Sequence, residues 1–329
     1  MRSMRAVVVR DEPERTLVWE EVPLPEPGPG QLRFRTVATA VNRADLLQRR
    51  GLYPVPPGAS PIMGLEASGV IDKLGPGVEG WAIGDEICAL LEGGGYAEYV
   101  VIDASMALPL PPGIDVVEAA AVPEVFYTAY LNLYMEGAMI PGETALIHAA
   151  ASGVGTAALQ LCRVFGNPVF ASASGAKLDA CKTYGATWTI DRQTQHFREV
   201  ILKETGNKGV DVIFDMVGGG VLRDNIDVLS TDGRLVLIGL LGGARDEISL
   251  SKVLMKRLRI IGSTLRSRSR EDKVKITQEL RERVWPKFED GHLKPVIDRR
   301  HSIQDVAQAH AALENNETIG KVLLLISEP

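Results

Sequence analysis

Apolar and polar residues are patterned differently in the two parts of the chain. Roughly the first 120 residues contain short β-rich runs at 6–9, 32–41, 67–74 and 96–102, separated by proline- and glycine-rich segments such as PLPEPGPG. Apolar runs bounded by such segments are typical of strands. This part is therefore predicted to form an irregular β domain.

From Pro141 onward, apolar strands alternate with amphipathic helices. The predicted strands are TALIHA, PVFASA, WTID, VDVIFDMV and RLVLIG. This alternation predicts an α/β fold with a parallel sheet and right-handed crossovers. A charged helical segment begins near Arg266, and its runs REDK and RERV are predicted to form a solvated face. The last strand, KVLLLI, is assigned to the first domain.

The run HAAASGVGTAALQL resembles a loop that binds a nucleotide and leads into a helix. Apolar residues follow Val154 at spacings of four, seven and eleven, which places them on one helical face. Such a turn presents backbone N–H groups and the positive helix end to a pyrophosphate. The fingerprint has three glycine positions, and only the third keeps its glycine; the occupants are Ala150, Ser152 and Gly155. A purely structural turn is the alternative. The βα units that follow favour a nucleotide site, with contacts from Ser152, Gly153, Val154 and Gly155.

The second strand of this part should end in an acid if the cofactor has a free ribose 2′-hydroxyl. None follows PVFASAS; Ser172, Ser174, Gly175 and Lys177 stand there instead. Hydroxyl and cationic groups suit a 2′-phosphate, so the predicted cofactor is NADPH. Arg192 is predicted to close over the same phosphate or the adenine. For both cations, an ordinary surface position is the alternative.

Composition narrows the class of protein. The chain has 329 residues, a net charge of -6 and a pI near 5.5, which argues against a broad nucleic-acid surface. No apolar run approaches the roughly 18 residues of a membrane span. The three cysteines are far apart, which fits a reducing cytoplasm and no paired-cysteine zinc site. A small-molecule partner is expected.

Several further motifs carry a family resemblance over nearly the whole chain. They are VNRADLLQRRGLYPVPPGAS, GLEASG, GGGYAEYV, AAAVPEVFYTAY, GRLVLIGLLGG, LRSRS and IGKVLL, together with the loop HAAASGVGTAALQL. With these motifs the chain resembles the zinc-free quinone oxidoreductases of the medium-chain dehydrogenase/reductase superfamily, and among them the p53-inducible quinone oxidoreductase branch.

The resemblance implies two domains and a homodimer. A GroES-like catalytic domain would comprise residues 1–122 and 267–329, and a Rossmann NADPH-binding domain residues 123–266, with the active site in the cleft between them. Zinc-dependent relatives have a cysteine ligand where this chain has Asn42, and a Gly-His-Glu segment where it has Gly64-Leu65-Glu66. The resemblance therefore implies that no metal binds.

The expected loss of zinc predicts the type of acceptor. Oxidising an alcohol creates a localised alkoxide that a Lewis acid stabilises, whereas a quinone or enone accepts hydride to give a delocalised anion. One or two hydrogen-bond donors then suffice, and the candidates are Asn42 and Tyr53. Asn42 could instead orient the nicotinamide ribose or bond its own turn. Tyr53 could instead bond the nicotinamide end of the cofactor or be a packing aromatic. Asp45, three residues after Asn42, is expected to brace the site.

The remaining candidates surround the expected nicotinamide. Val217, Gly218, Gly239, Leu240 and Leu241 end the fourth and fifth strands, where open α/β sheets bind ligands. The resemblance adds Thr128 near the nicotinamide, with Leu265 and Arg266 in a cleft-lining segment, and these three residues are predicted to bind the cofactor. Arg266 would favour an anionic product, with a structural salt bridge as the alternative. His148 is expected to be buried and hydrogen-bonded rather than catalytic.

These observations leave three functions open. The first is an NADPH-dependent quinone reductase. The second is an NADPH-dependent reductase of enone or 2-alkenal double bonds, which the same residues would serve. The third belongs to another class, a cofactor-binding structural or RNA-binding protein like the crystallin relatives of the family.

Overall fold

The computed structural model describes residues 2–327 and divides into two compact units. The discontinuous unit combines Met1–Tyr127 with Arg266–Pro329, and the central unit is Thr128–Leu265. Within the described residues, no helix is both long and apolar enough to cross a membrane.

The described chain contains fifteen strands and ten α-helices. The strands are β1 (Ser3–Val9), β2 (Leu17–Pro23), β3 (Gln31–Val41), β4 (Glu66–Leu74), β5 (Glu86–Leu90), β6 (Tyr99–Asp103), β7 (Ala107–Pro109), β8 (Ala145–Ile147), β9 (Val169–Ala173), β10 (Trp188–Asp191), β11 (Val210–Asp215), β12 (Leu229–Leu237), β13 (Arg259–Gly262), β14 (Ile297–Ser302) and β15 (Lys321–Leu325). The helices are α1 (Arg43–Arg49), α2 (Pro123–Tyr130), α3 (Gly153–Phe165), α4 (Leu178–Tyr184), α5 (Phe197–Glu204), α6 (Leu222–Val228), α7 (Leu250–Met255), α8 (Arg270–Arg283), α9 (Pro286–Glu289) and α10 (Val306–Glu314).

The discontinuous unit is mainly antiparallel β structure. Its large sheet has the strand order β14-β15-β3-β4-β5-β7, with β6 also pairing with β3, and β1 and β2 form a separate hairpin. The long strand β3 is almost entirely buried, because it has neighbours on both edges and packed side chains on both faces. The terminal strand β15 pairs antiparallel with β3, with Val322 opposite Val41. The segment KVLLLI therefore lies in the sheet of the discontinuous unit, with its first residue, Lys321, beside the end of β3.

The central unit is a parallel sheet with helices. Within residues 2–327 its strand order is β10-β9-β8-β11-β12-β13, which in order along the chain is 3-2-1-4-5-6, the doubly wound order of dinucleotide-binding folds. Its core contains Leu146, Phe170, Ile213 and Leu235, all fully buried. The predicted fold class, an irregular β domain with a Rossmann-type α/β domain, is confirmed. Because the strands are parallel, their carboxyl ends meet at one edge of the sheet.

Candidate active site

The first part of the site is the turn from β8 into α3. Ser152 caps α3, and its hydroxyl accepts a hydrogen bond from the Gly155 N–H at 3.1 Å. A Cβ at Gly155 would lie 2.5 Å from the carbonyl oxygen of Ala150, so only glycine lets the helix begin this close to the strand. The first helical residues are Gly153 and Val154, and N–H groups of a first turn have no intrahelical acceptor. The turn therefore fits a pyrophosphate, and the missing glycines do not prevent it.

A second turn follows β9 and carries the predicted phosphate-binding cation. The Lys177 N–H donates to the Ser174 carbonyl at 2.8 Å, which makes the two residues one turn. Lys177 is partly buried, whereas Arg192, after β10, is exposed. The Arg192 N–H donates to the Ala173 carbonyl at 2.9 Å, so the ends of β9 and β10 are joined. The structure thus brings Ser174, Lys177 and the Arg192 backbone to one corner of the sheet.

An acid that sequence reasoning missed lies at this corner. Asp191 ends β10, not β9, and a Cβ at Gly175 would lie 2.8 Å from its Oδ2 atom. Its carboxylate accepts hydrogen bonds from the Gln193 N–H and the Thr194 hydroxyl, both at 3.0 Å. The Gln193 N–H bond is the main cause that lowers the pKa of Asp191, so this carboxylate is charged. Any phosphate bound by Lys177 must therefore tolerate a neighbouring negative charge.

The loop after β11 is stabilised by a buried polar chain. Asp215 is fully buried, and its Oδ1 accepts from the Val217 and Gly218 N–H groups at 2.6 and 3.2 Å. Its Oδ2 accepts from the Asn225 amide at 3.0 Å, and Asn225 Oδ1 lies 2.8 Å from His148 Nε2. His148 is buried, so the prediction of a hydrogen-bonded structural histidine is confirmed. These hydrogen bonds connect His148, which directly follows β8, to the loop after β11.

The remaining candidates of the central unit differ in exposure. The two leucines after β12, Leu240 and Leu241, are 57% and 58% exposed, which leaves apolar surface at the sheet edge. Gly239 has little room, because a Cβ there would lie 3.0 Å from the Met216 carbonyl oxygen. Thr128 and Leu265 are the first and last residues of the central unit. Thr128 lies in α2 and is buried, and Leu265 is partly buried.

In the discontinuous unit, the side-chain amide of Asn42 is bonded within the protein. Its Nδ2 donates to Glu66 Oε1 at 2.9 Å and to the Ala40 carbonyl at 3.3 Å, and its Oδ1 accepts from the Lys321 ammonium. The Asn42 backbone N–H donates to Asp45 Oδ2 at 2.8 Å, which confirms that Asp45 braces this turn. Both amide hydrogens are engaged within the protein, and Oδ1 already accepts from the Lys321 ammonium.

A buried ion pair lies beside Asn42. Lys321 Nζ is 2.7 Å from Glu66 Oε1, and the two side chains are 4% and 0% exposed. Lys321 also donates to the Val41 carbonyl at 3.0 Å, and Glu66 Oε2 accepts from the Glu124 N–H at 2.9 Å. Paired charges with their remaining groups satisfied are tolerated in a protein interior. The ammonium thus joins Asn42, at the position of the family cysteine ligand, to Glu66, the last residue of the segment that matches Gly-His-Glu.

These residues do not fit a catalytic zinc. Leu65 has no ligand atom, and the amide of Asn42 and the carboxylate of Glu66 are both bonded to Lys321. A divalent cation next to a buried ammonium would be repelled. Among residues 2–327, no group of three or more histidine, cysteine, aspartate or glutamate side chains is arranged to hold a metal.

Tyr53 and Arg266 form the second half of this site. The guanidinium carbon of Arg266 lies 5.2 Å from the centre of the Tyr53 ring, close enough for a cation–π contact. Burial raises the pKa of the Tyr53 phenol, so it is protonated and able to donate near neutral pH. After burial, the Asp45 carboxylate of the Asn42 turn is one of the charges that influence the pKa of both Tyr53 and Arg266. Sequence reasoning identified both residues but not their stacking.

Comparisons with known proteins agree with this fold. Residues 28–112 match the alcohol dehydrogenase GroES-like domain, and residues 153–281 match the zinc-binding dehydrogenase family. The chain is 33% identical to the human synaptic vesicle membrane protein VAT-1 homolog over 92% of this chain and 80% of that protein. It is 31% identical to a 2-haloacrylate reductase of Burkholderia sp, with 98% of each chain covered. It is 30% identical to the quinone oxidoreductase of Rattus norvegicus, with 99% and 98% covered.

Solved structures show the same architecture. An NAD-dependent alcohol dehydrogenase matches with a TM-score of 0.87 and 32% identity, covering 98% of this chain and all of that one. The JamJ enoyl reductase matches with a TM-score of 0.87 and 28% identity, covering 99% and 100%. Fold and site together define a nicotinamide-dependent oxidoreductase. The chain belongs to the medium-chain dehydrogenase/reductase superfamily.

Proposed function

We propose that this protein is an NADPH-dependent quinone reductase that works without zinc. The observation that carries the proposal is the buried Lys321 ammonium bonded to both Asn42 and Glu66. A fixed cation there would repel a metal ion, so under this proposal no Lewis acid stabilises a localised alkoxide. An acceptor that delocalises its own negative charge, such as a quinone, needs only hydrogen-bond donors. Tyr53 supplies one such donor.

The roles of Asn42 and Tyr53 differ under this proposal. Asn42 has both amide hydrogens engaged, so orienting the nicotinamide ribose is favoured over donating to the acceptor. Tyr53 keeps a protonated phenol and is the better donor of the two. When bound, NADPH supplies the hydride. The residues of the chain hold and orient the reactants, and water completes the protonation of the product.

The choice of NADPH rests on the corner of the central sheet formed by Ser174 and Lys177. A 2′-phosphate is a dianion, and a partly buried lysine next to a serine suits it. The charge of Asp191 opposes this preference, but two protein hydrogen bonds already engage its oxygens. The pyrophosphate would lie against the first turn of α3, where Gly155 allows the close approach.

An enone or 2-alkenal reductase is the second candidate. The relatives named 2-haloacrylate reductase and enoyl reductase favour it, because those names describe reduction of an activated carbon–carbon double bond. The residues proposed for a quinone would serve this acceptor equally, since the product of hydride transfer is again a delocalised anion.

Steady-state turnover tests the proposal. We expect NADPH oxidation with 1,2- or 1,4-naphthoquinone to be faster than with a matched panel of enones, 2-alkenals and a 2-haloacrylate. Faster reduction of the double-bond substrates would select the second candidate. Saturable NADPH binding without turnover of any acceptor would instead place the protein in the cofactor-binding, non-enzymatic class.

Zinc independence is a separate prediction. Chelators are expected to leave the rate of quinone reduction unchanged, and metal analysis of the purified protein is expected to find zinc far below one ion per chain. The physical reason is the repulsion between a divalent cation and the Lys321 ammonium. One zinc ion per chain, removed together with activity, would contradict the prediction.

We also propose that the protein is a homodimer formed along β13. This strand ends the central sheet, and three of its four residues are exposed, including Ile260 at 41%. The neighbouring α7 exposes Leu250, Leu254 and Met255 to more than 70%. An uncovered strand edge next to apolar surface favours pairing with a second copy about a two-fold axis.

The Ile260→Lys variant is expected to be monomeric, because a charge on an edge strand blocks pairing. Light scattering of the wild type and the variant measures this directly. Ile83→Lys is the matched control, since Ile83 is an exposed isoleucine of the discontinuous unit and its replacement should leave the dimer intact. A monomeric wild type would overturn the proposal.

A further inference from the structure

The Arg266 guanidinium is buried and incompletely bonded. The residue is 6% exposed, and its Nε and Nη2 atoms donate to the Glu92 carbonyl oxygen at 2.8 and 2.6 Å. Its Nη1 is buried and has no hydrogen-bond partner. A buried charged donor without an acceptor is costly, so such a group points to a ligand that accepts from it.

The surroundings hold this guanidinium in a fixed orientation. The Tyr53 ring lies against it at 5.2 Å, and the Lys273 ammonium donates to the Arg266 carbonyl oxygen at 2.7 Å while pairing with the Glu92 carboxylate. Lys273 is itself only 4% exposed, so the expectation that the charge run REDK forms a solvated face is wrong at this residue. The position of Nη1 is therefore set before any acceptor arrives, as electrostatic catalysis requires.

The unpartnered nitrogen can contact an oxygen of a ligand. Nε and one Nη2 hydrogen share the Glu92 carbonyl oxygen, whereas the hydrogens of Nη1 have no acceptor within the protein. The amide of Asn42, one of the two donors that the sequence predicts, is engaged by Glu66 and Ala40.

We propose that Nη1 of Arg266 is a catalytic oxyanion donor, which contacts the carbonyl oxygen of the acceptor and stabilises the negative charge that hydride transfer places there. This inference rests on the proposed function. The hydride, which NADPH would supply, forms a C–H bond at the acceptor carbon conjugated to the carbonyl. The double-bond pair shifts toward the carbonyl carbon, and the carbonyl π pair moves onto oxygen. Water then gives the second proton, so the acceptor takes up two electrons and two protons in all. Arg266 keeps its protons throughout.

Replacing Arg266 tests this role against cofactor binding, the role that the sequence predicts for it. In Arg266→Met, kcat with 1,4-naphthoquinone is expected to fall by about 10²–10³-fold, the effect of losing one oxyanion donor, with little change in the KM for NADPH. Arg266→Lys should recover part of the loss. Arg270→Met is the matched control, because it removes the same charge from an exposed neighbour that pairs with Asp103.

The opposite pattern would overturn the inference and leave the proposed function standing. That pattern is unchanged kcat at saturation with a raised KM for NADPH. A wild type that reduces no quinone or enone would overturn both.

A binding measurement on the wild type does not depend on the variants folding. The probe is 4-nitrophenol, whose phenolate resembles the anionic product and has its own absorbance. Protein saturated with NADP⁺ is expected to lower the pKa of bound 4-nitrophenol, because Nη1 favours the charged oxygen. Binding of the neutral phenol in preference to the phenolate would overturn the inference.

Discussion

Replacing Lys321 with methionine is expected to lower the free energy of unfolding by about 3–5 kcal/mol, the usual cost of leaving one member of a buried ion pair unpaired. Methionine keeps most of the volume of the lysine stem but removes the charge that faces Glu66 and the donor to the Val41 carbonyl. Glu66 is fully buried and would hold an uncompensated carboxylate. Denaturant unfolding measures the loss as a lower midpoint.

Two further variants separate pairing from general disruption. The double variant Glu66→Gln with Lys321→Met should recover much of the loss, because no charge then stays buried and the glutamine still accepts from Asn42. Lys73→Met removes a lysine whose pairing with Glu26 is solvent-exposed and should leave the midpoint almost unchanged. A Lys321→Met midpoint equal to that of Lys73→Met would show that the buried pair contributes little.

Replacing Lys177 with alanine is expected to weaken NADPH binding by about 10–100-fold and to leave NADH binding almost unchanged, since a charged hydrogen bond is worth about 1.5–3 kcal/mol. The lysine is partly buried on the Ser174 turn, so its charge is poorly screened there. Fluorescence titration with each cofactor measures the ratio of the two affinities.

Two matched variants sharpen this test of the cofactor. Lys182→Ala removes an exposed lysine from the same helical region and should leave the ratio unchanged. Asp191→Asn removes the negative charge beside Gly175 and should raise the affinity for NADPH. Equal affinities of the wild type for NADPH and NADH would refute the assignment of NADPH.

The turn at HAAASGVGTAALQL shows what local sequence predicts well. The predicted turn from strand to helix forms there, with Ser152 as the cap of α3 and Gly155 at the close approach to the strand. The sequence pattern did not predict the left-handed backbone conformation of Ala149, whose φ is 47°. An alanine does so at some cost, which the packing of the strand and helix around it must offset.

The sequence by itself determined the two kinds of domain, the order of their elements and the turn of Asn42 with Asp45, because these depend on periodicity and on residues close in the chain. Only the tertiary structure decided which charges meet. Lys321 reaches Asn42 across 279 residues, and Lys273 is buried beside Glu92 across 181. Whether a charged residue is solvated or paired depends on what packs against it, and no local pattern carries that information.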